Sequence, residues 1–186
     1  MHLLEPILKP GIISKPHHLI DLQHQLWSCI TLSENGYTEN QDYHRVENAP
    51  PLIRTQSILV AITEGGQLYD LYKRQPFIID DKRQSIRVFD IELYDHPAID
   101  ILYDNGDFYR YAINRYRWWN EPQYGVIIAN IKLVIPYTGF YSYVILDDQG
   151  RWYYLHDHTT TPIEGNNLPR YEDYSLYRIL FICHLE

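Results

Sequence analysis

Three segments of this chain pass through the same kind of turn, and that turn limits the fold more than any other feature. Aligned on Gly66, Gly106 and Gly150, each segment carries an apolar run, then a carboxylate (Glu64, Asp104, or Asp147 with Asp148), then the glycine. A large apolar residue follows (Leu68, Phe108 or Trp152), and then a tyrosine (Tyr69, Tyr109 or Tyr153). Glycine suits a turn position with positive φ because it has no Cβ to clash, and such turns join antiparallel strands. The clearest example is Tyr143 to Leu155, which reads as a β-hairpin closed at Gly150. A spacing of about 40 residues is compatible with propeller blades. The segments between the three turns do not match one another, so the expectation is three independent hairpins in a meandering antiparallel sheet.

The rest of the chain supports a mainly β fold, with α+β as the alternative. Hydrophobic residues make up 45% of the 186, and 18 Tyr and 4 Trp stand against a single Met, a composition that favours strands and half-wet surfaces. We expect one domain over residues 1–186. Residues 1–55 form a helix and a long polar loop, and residues 56–186 form a hairpin-rich body. The helix is placed at Pro16 to Ser28, where Leu19, Ile20, Leu22, Leu26 and Trp27 recur at roughly helical spacing. Tyr37 to Pro51 reads as a polar loop. Gly125 to Ile135 reads as one long strand buried on both faces, and Ser175 to Leu185 as a closing strand. The architecture expected is an antiparallel meander or sandwich of about eight to ten strands with one N-terminal helix packed on it.

The formal net charge of −8 argues against general nucleic-acid binding and favours a basic protein partner. No apolar run reaches the roughly 20 residues of a membrane helix, and the first residues do not read as a signal peptide, so a cytoplasmic location is expected. Cys29 and Cys183 read as buried thiols. No serine-nucleophile elbow, phosphate loop or His-Glu-x-x-His motif is present, which leans against an enzyme.

Two patterns bear on a site. Gly150, His156, His158, Glu164 and Gly165 together resemble the first metal-binding motif of the cupin family, in which two histidines on one strand face and a nearby glutamate hold a divalent metal. That resemblance implies a metal held by His156, His158 and Glu164, although no second cupin motif follows. A cluster at His17, His18 and His24 reads as a solvated helix face. The segment from Phe108 to Trp119 interleaves arginines with aromatic rings, the composition of protein-binding hot spots. With the acidic hairpin tips it gives a candidate partner-binding set of Asp104, Asp107, Tyr109, Arg117, Trp118, Trp119, Asp147 and Asp148. A small, leaderless, acidic, aromatic-rich chain without catalytic signatures resembles immunity proteins in general. The expectation is therefore a non-enzymatic binding protein without a cofactor, of the immunity type that neutralises a bacterial toxin. A cupin-like metal protein and a carbohydrate- or ligand-binding β-module are the alternatives.

Overall fold

A computed structural model describes residues 16–55, 57–77, 83–93, 96–112, 125–137 and 142–165. These residues build four antiparallel sheets, each a meander in sequence order. The first sheet holds β1 (His18–Ile20), β2 (Leu26–Ser33) and β3 (Gly36–Arg45). The second holds β4 (Leu52–Ile53), β5 (Val60–Thr63), β6 (Leu68–Asp70) and β7 (Gln75–Phe77). The third holds β8 (Ser85–Leu93), β9 (His96–Tyr103), β10 (Phe108–Ala112) and β11 (Gly125–Ile128). The fourth holds β12 (Ile131–Pro136), β13 (Ser142–Asp147), β14 (Trp152–His156) and β15 (Thr159–Pro162).

The sheets are copies of one unit. In each, a turn-opening residue donates its N–H to the carbonyl four residues on: Asp21 to Gln25 at 3.0 Å, Thr63 to Gln67 at 2.8 Å, Tyr103 to Asp107 at 2.9 Å and Asp147 to Arg151 at 3.0 Å. The residue three after it is left-handed in all four copies, with φ of 63° at His24, 78° at Gly66, 87° at Gly106 and 80° at Gly150. The carbonyl of that residue then binds the first strand of the next sheet. His24 accepts from Leu52 N at 2.9 Å, Gly66 from Ser85 N at 2.8 Å and Gly106 from Ile131 N at 2.8 Å. Even the irregularities recur, since both β8 and β12 shift register after their first residue, between Ser85 and Arg87 and between Ile131 and Leu133. The three glycine turns are therefore members of a repeat of about 40 residues. Four-stranded meanders in series are also the unit from which β-propellers are built.

Successive sheets pack face to face, so that the second and third are each covered on both faces. Ile20, Leu26 and Val46 of the first repeat meet Leu52, Ala61, Tyr69 and Leu71 of the second. Alternation along the strand then sends Val60, Ile62 and Leu68 to the opposite face, against Val88, Ile99, Ile101 and Tyr103 of the third. Phe89, Leu102 and Phe108 carry the third sheet onto Ile131, Val134, Tyr143, Ile145 and Leu155 of the fourth. Ala98 to Tyr103 is consequently buried at every position, so β9 is a strand covered on both faces.

Several expectations are corrected by this arrangement. No helix occurs among the described residues, and Pro16 to Ser28 holds β1, a turn and the start of β2. Asp21 decides that local fold. Its Oδ1 accepts the N–H groups of Gln23 and Gln25, both at 2.9 Å, and its Oδ2 accepts Trp27 Nε1 at 2.8 Å. A side chain that captures backbone N–H groups in this way competes with the helical ladder. Most of the polar stretch from Tyr37 is the ten-residue strand β3, at the edge of its sheet, where polar side chains are tolerated because exposed residues stand on both of its faces. Gly125 to Ile135 is two strands in different sheets, separated at Asn130, whose φ is 61°. Fifteen strands are described, above the eight to ten expected. Ser175 to Leu185 lies outside the described residues.

Candidate functional site

The repeat brings the turns of successive sheets to one end of the stack. Directly after the turn-opening residue stand Leu22, Glu64, Asp104 and Asp148, and all four are exposed. Because the second, third and fourth sheets pack in sequence order, the three carboxylates follow one another in a row along that end. Two of the three are fixed across a sheet junction: Asp104 N donates to Gln84 O at 2.8 Å and its Oδ1 accepts Gln84 N at 3.2 Å, and Asp148 N donates to Asn130 O at 2.9 Å. Asp104 and Asp148 of the sequence-derived partner set therefore hold equivalent, outward positions, and Glu64 joins them. Glu64 was absent from the sequence-derived set, although its place in the turn alignment was signal enough to include it.

Three other members of the set are tied into the fold. Asp147 is 6% exposed. Its Oδ1 accepts Gln149 N at 3.0 Å and Arg151 N at 2.8 Å, and its Oδ2 accepts Arg151 Nε at 2.7 Å, as Asp21 does in the first repeat. Burial alone would raise the Asp147 pKa, but these hydrogen bonds and the Arg151 charge hold it below the ordinary carboxylate range. Asp107 accepts Arg83 Nη1 at 3.3 Å and Asn105 Nδ2 at 3.1 Å. The same Arg83 guanidinium lies 4.1 Å from the Tyr103 ring centroid and 5.1 Å from that of Tyr109. Arg117, Trp118 and Trp119 lie outside the described residues.

The cupin-like residues sit at the far end of the fourth sheet. His156 closes β14, with Nδ1 2.9 Å from Ser142 Oγ. Asp157 then adopts a φ of 53°, which takes His158 off the strand before the two imidazoles can share a face. His158 Nε2 lies 3.7 Å from Asp157 Oδ1, and Glu164 is exposed beyond β15. Among the described residues no group of three or more His, Cys, Asp or Glu side chains is placed to hold a metal ion.

Two polar clusters were not read from sequence, and both lie at sheet junctions. Asp100, fully buried in β9, accepts Arg110 Nε at 2.8 Å, Arg110 Nη2 at 3.1 Å and the Tyr143 hydroxyl at 2.6 Å. Arg110 also donates to Asp157, so one ion network joins the third and fourth sheets. Burial opposes the charge on Arg110, but the paired Asp100 and Asp157 hold its pKa above the ordinary value. The position Asp100 fills in the third repeat is filled by His18 in the first, each paired with the strand that follows it. The His18 ring packs 4.7 Å from that of Tyr72, across the first junction.

Burial, then the nearby His17 and Arg74, lower the His18 pKa from 6.5 to about 3. A folded-state pKa below the unfolded value means that His18 contributes stability above pH 6.5 and loses it as pH falls toward its folded value. Urea unfolding between pH 6.5 and 4.5 should show stability falling by up to about 1.4 kcal/mol per pH unit. The depressed carboxylates Asp21 and Asp147 act lower, below their unfolded value of 3.8. His18→Phe should flatten the pH 6.5 to 4.5 window, whereas an unchanged slope would show that His18 is not its source.

Beside the first turn is an open cavity of about 470 Å³ lined by residues 23–26 and 45–51. His24 Nδ1 lies 3.2 Å from Leu52 O at its rim. No helix among the described residues is long and apolar enough to cross a membrane. Comparison with protein-family models, curated proteins and solved structures finds no match to this chain.

Proposed function

We propose that the protein is a non-enzymatic binding module that presents the turn end of its sheet stack to a basic protein. The observation that carries this reading is the row of Glu64, Asp104 and Asp148, three exposed carboxylates at one repeat position, on a chain of net charge −8. Rigid turns hold these charges without ordering flexible side-chain supports, so little conformational entropy is lost when a partner arrives. Their joint field accelerates encounter with a positive surface and falls with salt. The most specific form of this reading is an immunity-type inhibitor, acting in the cytoplasm, that covers the basic cleft of a toxin.

The test is a pull-down from the source cell at low and moderate salt, with the wild-type chain and the variant E64Q/D104N/D148N. The wild-type chain should retain a basic protein that the variant loses. With that partner in hand, the variant should slow association by roughly ten-fold or more and flatten its salt dependence. Equal recovery by both chains would exclude the turn row as the contact, and recovery of only acidic or neutral proteins would overturn the basic-partner reading.

A further inference from the structure

The open cavity beside the first turn lies at the same end of the stack as the acidic row, because the turn residues Gln23, His24 and Gln25 form one of its walls. The segment 45–51 forms the other. Two backbone bonds frame that segment, from Val46 N to Leu26 O and from Leu52 N to His24 O, both at 2.9 Å. His24 Nδ1 adds a bond to Leu52 O at 3.2 Å, and proline fixes φ at positions 50 and 51, so both walls are set before a partner arrives. The apolar lining is Leu26 and Val46, both buried, with Ala49, and all three pack in the core of the first junction. The polar lining is rich in amides, with Gln23, Gln25 and Asn48 exposed, and the exposed charges of Arg45 and Glu47 offset each other. Leu22 stands beside this wall. It holds the row position in the first repeat, where the later copies carry Glu64, Asp104 and Asp148, and it is 56% exposed. The row therefore turns from acidic to apolar where the cavity begins.

We infer that this cavity takes an aromatic side chain, tyrosine or tryptophan, of the basic protein that the acidic row attracts. The inference rests on the partner reading above for the role of the row, whereas the preference of the cavity for a ring is independent of it. The opposite charges at the rim leave the cavity without net charge, so it gives a lysine no advantage over a neutral group. A tyrosine or tryptophan has a flat apolar body for the Leu26 and Val46 side and a polar tip for the rim amides. A leucine would meet the same apolar atoms, leave the amides to water and fill less of the volume of about 470 Å³. Aromatic anchors seated in pockets also carry much of the energy of protein interfaces. Leu22 packs beside the seated ring and keeps water from its edge. The two parts then divide the work, since exposed charges govern association and a desolvated anchor governs dissociation.

The probes are the N-acetyl amides of tryptophan, tyrosine, leucine and lysine, titrated into the full chain and followed by NMR shifts of the backbone amides of Gln23 to Leu26 and of Val46 to Ala49. The two aromatic probes should shift this set and bind several-fold more tightly than the leucine probe, and the lysine probe should leave it unmoved. Ala49→Trp and Gln25→Trp, which fill the cavity from a half-buried and an exposed position, should each abolish the shifts. Gln25→Trp leaves the core of the junction intact. A peptide of one tryptophan followed by glycine-spaced lysines then separates the cavity from the row. Alanine in place of its tryptophan should weaken binding by about five-fold or more with the salt dependence kept. The variant E64Q/D104N/D148N should instead flatten the salt dependence and leave the tryptophan effect in place. A tryptophan effect without salt dependence would remove the row as a contact and keep the cavity as an aromatic site. Shifts confined to other parts of the surface, or leucine binding as tightly as the two rings, would overturn the inference.

Discussion

Replacing Arg110 with alanine should lower the unfolding free energy by about 3–5 kcal/mol, because it removes a cation and two charge-assisted hydrogen bonds from the fully buried Asp100 carboxylate. Asp100 is fully buried, and the guanidinium supplies two of its hydrogen bonds where the Tyr143 hydroxyl supplies one. Arg151 is the natural control. It binds Asp147 at 2.7 Å, but its side chain is 60% exposed, so water takes over much of its role. Arg151→Ala should cost far less than Arg110→Ala, because an ion pair with a solvent-exposed partner is largely screened. Replacing both Asp100 and Arg110 with apolar side chains of similar volume should recover most of the Arg110→Ala loss, since the desolvation of both charges is then avoided. Urea midpoints at unchanged m-value measure all three. An Arg110→Ala loss as small as that of Arg151→Ala would mean that the buried carboxylate is satisfied elsewhere.

Gly106→Ala should be more costly than Gly150→Ala, although the two glycines have nearly the same backbone conformation, with φ of +87° and +80°. Left-handed φ alone costs alanine about 1–2 kcal/mol, and this is the whole expectation at Gly150, where an added Cβ meets nothing within 4 Å. At Gly106 the same Cβ would lie 3.2 Å from Ile131 N and 3.3 Å from both Asn130 Cα and Ile131 O. These are backbone atoms of the next repeat, held there by the 2.8 Å bond from Ile131 N to Gly106 O. Relief therefore requires the third and fourth sheets to part, and the total should reach about 2–4 kcal/mol. Equal losses at Gly106 and Gly150 would indicate that the sheets do not meet through their turns.

The turns were legible in the sequence because glycine at positive φ is a strict local requirement, and Gly66, Gly106 and Gly150 all meet it. The fourth copy was hidden because His24 occupies the left-handed position and Asp21, in place of glycine chemistry, shapes the turn. Leu19, Ile20, Leu22 and Leu26 then mimic a helical period. The outer strands were hidden for a different reason. β3 and β15 are polar and largely exposed, so they carry no alternation of apolar side chains and resemble loops. The strand boundary at Asn130 was lost inside an apolar run, because β11 and β12 belong to different sheets yet adjoin in sequence. At the candidate site, the acidic residues were visible, but their roles were not. Asp147 and Asp148 are neighbours in sequence, and only the turn geometry makes one a buried clamp and the other an exposed charge. The pairing of Asp100 with Arg110 depends on strand register and lay beyond sequence patterning.

The three exposed carboxylates form a row only if each sheet is joined to the next through the same turn carbonyl. Amide hydrogen exchange tests that junction most directly, at Leu52, Ser85 and Ile131, the three N–H groups that bind His24, Gly66 and Gly106. Strand-start amides at a solvated end would exchange with little protection, whereas amides joining packed sheets open only when the sheets separate. All three should be protected to a degree similar to the β9 core amides of Ile99 and Ile101, and Gly106→Ala should reduce the protection of Ile131 more than that of Leu52. Unprotected exchange at all three positions, with the β9 amides still slow, would contradict a serial repeat and remove the acidic row with it.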